Sequence, residues 1–117
     1  MSSPASTMSP AEIATFLAGK AIAEATAFLQ GRGDAARLAR AADQLCGEML
    51  AVAGDPACNA IADPTRLLVT TMMRTAVATG PISHDWCLVM FAFVGLLRRQ
   101  LREQGAEGQA AAAELPA

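Results

Sequence analysis

Between Trp86 and Leu97 the chain reads WCLVMFAFVGLL, a run whose only polar side-chain group is the Cys87 thiol, and RRQLR follows at once. A helix with no polar side must lie inside a protein, inside lipid or against another chain. Lipid fails on length. A helix of this extent rises about 18 Å, whereas a bilayer core of about 30 Å needs about 20 apolar residues. Moving the ends outward meets His84 and Asp85 on one side and Arg98, Arg99 and Arg102 on the other. An in-plane membrane helix fails too, because it needs a polar face along its whole length. Core and interface are the two readings left, with no membrane partner expected.

The surroundings of that run indicate what kind of core is available. A chain of 117 residues is expected to form one domain, with part of its core near solvent. There are 27 Ala and no Tyr, and most Gly and Pro fall between the long apolar stretches rather than within them. That pattern favours helices over a sheet. The expected fold class is all-α, a compact four-helix bundle-like domain over residues 9–105. Residues 1–8 and the Ala-rich 106–117 show no periodicity that would bury enough surface to offset ordering, and are expected to be disordered tails.

Four start signals divide the domain into helices at about 10–30, 35–53, 64–79 and 84–104. Ser9-Pro10-Ala11-Glu12 has the form of a capping box with Pro at the first helical position. Ile13, Phe16, Leu17, Ala21, Ala25, Phe28 and Leu29 then form one stripe. Gly31-Arg32-Gly33-Asp34 spells an adhesion motif, yet a left-handed stop, a bend and an N-cap account for every residue in it. The second helix carries Leu38, Ala42, Leu45, Met49 and Val52 at spacings of four and three, a narrow seam. Asp63-Pro64 is a cap-plus-Pro start for the third helix, whose apolar residues leave only the line Arg66, Thr70, Arg74 polar. Ser83 is expected to cap the fourth.

If two of four helices lack a full polar side, the slim first and second helices can cover one of them more easily than both. The apolar surface left over exceeds what a monomer commonly exposes in one patch. The expectation is therefore an interface, most simply a homodimer in which the fourth or the third helix pairs with its symmetry mate, the fourth being favoured. Trp86, Met90, Phe91, Phe93, Val94 and Leu97 are the expected contact residues, since aromatic and Met side chains dominate interface energetics. Arg66, Arg74, Arg98, Arg99 and Arg102 are expected polar contacts, the last three also complementing a helix C-terminus.

Evidence for chemistry is sparse. Cys46, Cys58, His84 and Cys87 amount to a Cys₃His set, but only His84 and Cys87 have local spacing, and scattered thiols usually fill cores. No carboxylate pair or phosphate-binding glycine loop is evident, so no catalytic residue, cofactor or metal is assigned. A net charge of -2 does not favour nucleic acid as a partner. The opening MSSPASTMSP lacks the regions of a secretory signal, so the expected location is cytoplasmic.

Ile61-Ala62-Asp63-Pro64-Thr65-Arg66-Leu67-Leu68 resembles the opening of a helix in arsenic-repressor-type winged-helix regulators. That family continues into a recognition helix and a β-wing, whereas TTMMRTAVATG here leads into the apolar fourth helix, so the likeness is confined to those eight residues. The reading reached is a non-enzymatic protein-interaction module, self-associating and binding another protein as an adaptor, chaperone or inhibitor. The alternatives are a regulator contacting DNA phosphates through Arg66 and Arg74, or a carrier of a small apolar ligand near Met72, Met73, Met90 and Phe91.

Overall fold

The computed structural model describes residues 8–114 and is all-α. Its helices are α1 (Pro10–Leu29), α2 (Ala35–Glu48), α3 (Asn59–Val77), α4 (Pro81–Glu103) and α5 (Glu107–Glu114). Short 3₁₀ turns at Met49–Val52 and Pro56–Cys58 link α2 to α3. Among the described residues there are thus five α-helices where four were expected.

The start of α1 is the capping box read from the sequence. Ser9 Oγ accepts from the Glu12 N–H at 3.2 Å, and Glu12 Oε1 accepts from the Ser9 N–H at 3.3 Å. Gly31, at φ 75°, stops the helix, and Asp34 caps α2 by accepting from the Arg37 N–H at 2.8 Å. The GRGD stretch is therefore a helix stop followed by a helix start. Between these caps α1 runs through the middle of the fold. Leu17 and Ile22 are its large buried residues, and Ala14, Ala18, Gly19, Ala21, Ala25 and Ala27 are small enough for its neighbours to pack close.

The α2 seam of Leu38, Ala42, Leu45, Met49 and Val52 is buried throughout. The helix was expected to reach Ala53, but it tightens into the 3₁₀ turn at Met49, a common way for a last turn to end. Met49 and Val52 still face inward across that change.

The third and fourth helices both begin earlier than their strongest start signals. Asp55 accepts from the Ala57 N–H at 3.0 Å with Pro56 behind it, so this first Asp-Pro pair opens the 3₁₀ turn that runs into α3 at Asn59. Pro64 consequently lies inside the helix, where it cannot donate to the carbonyl of the exposed Ala60. Asp63 pairs with Arg66 instead of capping. Gly80, at φ 61°, caps α4 with Pro81 at the first helical position, which leaves Ser83 inside the first turn.

Along α3 the line Arg66, Thr70, Arg74 is exposed, but burial elsewhere does not follow polarity. Thr65, Thr71 and Thr75 are buried, while Leu67, Met73 and Val77 face solvent. The threonines are tolerated inside because their hydroxyls donate to the carbonyls of Ile61, Leu67 and Thr71 at 2.7–2.8 Å. No buried side-chain N or O among the described residues lacks a partner.

The Ala-rich segment expected to be disordered contains α5, which corrects that expectation for residues 107–114; residues 1–7 and 115–117 lie outside the described range. Eight residues are too few for a stable isolated helix, so packing must hold it. The packing site is Gly19 on α1. A Cβ there would stand 2.4 Å from the Ala110 carbonyl oxygen and 2.7 Å from the Ala113 Cβ. Ala106, Ala110 and Ala113 are buried, and Glu114 pairs with Arg98 of α4 at 3.0 Å. Gly19→Ala should therefore displace α5 although Ala is the better helix former. In hydrogen-exchange measurements protection across 107–114 is expected to collapse while that of α1 persists; unchanged protection of α5 would refute the close approach.

Candidate interaction surface

On α4 the core side is narrow. Met90, Val94, Leu97 and Leu101 point into the cluster formed with α1, α2 and α3, at spacings of four, three and four. Everything opposite them is open. Leu88 is 57 % exposed, Val89 37 %, Phe91 70 % and Leu96 39 %, and Ala92 and Gly95 between them are exposed as well. From residue 88 to 96 this outer arc has no polar side chain; His84 and Asp85 bound it at one end, Arg99 and Arg102 at the other. Ile82 and Val77, flanking the α3–α4 turn, are further exposed apolar residues.

This placement divides the six expected contact residues. Met90, Val94 and Leu97 belong to the core and are withdrawn as surface residues, because α4 turns them toward the interior. Trp86 and Phe93 are half-buried along the flank, and Phe91 is at the surface. Leu88, Val89 and Leu96 lie on the surface without having been expected there. A signal for them existed: the four-three-four spacing that picked out the α2 seam also picks out Met90, Val94, Leu97 and Leu101, which leaves the other residues outside.

Gly95 adds a separate observation. Glycine inside a helix costs about 1 kcal/mol relative to Ala. No atom within 4 Å would meet a Cβ at that position, so contacts within the subunit do not require the absence of a side chain.

The arginines expected to make polar contacts are mostly engaged within the chain. Arg66 pairs with Asp63, Arg98 with Glu114 at 3.0 Å and Arg99 with Glu103 at 3.1 Å. Arg74 lies over the Trp86 ring, 5.5 Å from its centroid, in an open groove that Arg66, Leu67 and Thr70 also line. Arg102 is exposed in the last turn. Exposed ion pairs such as that of Arg99 contribute at most about 1 kcal/mol, so a partner can redirect them.

The residues considered for a ligand pocket separate: Met72 and Met90 are in the core, and Met73 and Phe91 face outward. A different groove, between α1 and α4, is lined by Thr26, Leu29, Cys87, Leu88 and Phe91 and adjoins the exposed arc.

His84 and Cys46 are exposed, Cys87 is half-buried and Cys58 is buried. Among the described residues no three His, Cys, Asp or Glu side chains are placed to hold a metal ion. Burial, and after it the nearby Asp55 carboxylate, pushes the Cys58 thiol up from its ordinary range. Folding thus favours the protonated thiol. Its contribution to stability is full below the unfolded thiol's pKa and is lost as pH rises through the raised folded value. At neutral pH a thiol reagent should label Cys46 rapidly and Cys58 only on unfolding, as read by mass spectrometry of peptides. Equal rates in the native protein would contradict the burial.

Among the described residues no helix is long and apolar enough to cross a membrane. Compared with protein-family models, curated proteins and solved structures, the chain gives no match.

Proposed function

We propose that this chain is a non-enzymatic, cytoplasmic protein-interaction module that self-associates through the outer face of α4 and acts as an adaptor, chaperone or inhibitor. The supporting observation is the unbroken apolar arc of Leu88, Val89, Phe91, Ala92, Gly95 and Leu96 on a helix whose opposite side already completes the core. Scattered apolar residues on a surface need no explanation, but a contiguous patch bounded by charge marks an interaction site. The regulator reading has less behind it, because Arg66 and Arg74 are engaged by Asp63 and Trp86.

Hydroxyl-radical footprinting at two protein concentrations tests the proposal. Leu88, Phe91 and Leu96 should be oxidised readily in dilute solution and protected in concentrated solution, while the exposed Leu50, far along the chain in the 3₁₀ turn, stays reactive in both. Equal reactivity of the α4 residues at both concentrations would count against self-association.

A further inference from the structure

We infer that the occupant of the α4 outer face is a second copy of the chain, laid antiparallel across it with the two-fold axis at Ala92. The inference rests on the self-association reading above and adds the partner's orientation and register. An isologous contact must be complementary to itself, so in an antiparallel pair residues equally far before and after the axis lie at the same level. Leu88 and Leu96 are each four residues from Ala92, Val89 and Gly95 three, and Asp85 and Arg99 seven. Seven residues make close to two helical turns, which sets Asp85, Ala92 and Arg99 along one exposed side.

In this register each Leu88 lies level with the second copy's Leu96 and each Val89 level with its Gly95. The small side chain at the axis and the missing one at Gly95 let the two backbones approach at a shallow crossing angle of about 20°. That supplies a use for the glycine, which no neighbour within the subunit requires. Charge then decides the orientation. Antiparallel packing brings each Asp85 to the second copy's Arg99, whereas parallel packing would set Asp85 beside Asp85 and Arg99 beside Arg99. The existing Arg99–Glu103 pair is exposed on both sides, so Arg99 can turn toward Asp85 at little cost.

Charge reversal tests the register. Asp85→Arg alone should set four cations around the axis and Arg99→Asp alone four anions, each weakening self-association about tenfold or more. Mixed in equal amounts, the two variants should associate nearly as well as the unaltered chain, because both contacts become Arg–Asp. The double variant Asp85→Arg/Arg99→Asp should likewise recover the homodimer. As a second measurement, Ala92→Cys in a Cys46→Ser/Cys87→Ser background should form an intermolecular disulfide on mild oxidation, since residues on the axis face each other. If single reversals weaken association and neither mixing nor the double variant restores it, or if they leave it unchanged while Phe91→Asp disrupts it, the register is wrong and self-association stands. If the unaltered chain stays monomeric at every concentration, both fail.

Discussion

Replacing Phe91 with Asp should abolish the self-association proposed for α4 and leave the subunit folded. Phe91 is 70 % exposed and lies outside the buried cluster, so its loss removes little from the core. Phe and Asp also have similar helix propensities. In the proposed dimer an Asp there would put an unpaired carboxylate at the edge of the apolar contact, at a cost of several kcal/mol if the partner covers it. About 3 kcal/mol corresponds to a more than 100-fold weaker dimer. Sedimentation velocity should show a monomer at concentrations where the unaltered chain is expected to dimerise, with helical circular dichroism retained. A variant that unfolds, or one that dimerises as before, would contradict the assignment of Phe91 to an outer face.

Leu97→Ala should do the reverse. Leu97 is 0 % exposed and is one of the few α4 side chains that complete the core against α1 and its neighbours. Truncating a buried Leu to Ala costs about 2–5 kcal/mol through lost transfer energy and the cavity left behind. For a domain of this size that is a fall in Tm of roughly 8–20 °C in a dilute sample. Below the lowered Tm the remaining folded protein should still associate, because the outer arc is untouched. Phe91 and Leu97 are both large and apolar on one helix, so their opposite phenotypes separate surface from core. A Leu97→Ala variant with an unchanged Tm would mean that α4 packs by another face.

The caps and seams were legible because each rests on local chemistry. Ser9 with Glu12, Gly31 and Asp34 each act within one turn, and the Leu38-to-Val52 seam is a spacing that no other part of the chain need confirm. What stayed hidden depends on distant partners. Nothing near residue 110 announces α5; its place is made by the missing side chain of Gly19, far back in the chain. Met90, Val94 and Leu97 look like Leu88, Phe91 and Leu96 in composition, and with apolar residues on every side the largest side chains were a poor guide to which faced out. Nothing in the sequence marks Thr65, Thr71 and Thr75 as core, a place they can take because their hydroxyls bond to their own helix. The start of α3 was misplaced because two Asp-Pro pairs compete, and the first, with its carboxylate on the Ala57 N–H, is the one that opens the structure.

Sedimentation equilibrium of the unaltered chain from the low to the high micromolar range tests the central claim most directly. If the outer arc of α4 is an association surface, the weight-average mass should rise with concentration from 12.1 kDa toward twice that value. A mass that stays at 12.1 kDa across the whole range would contradict it.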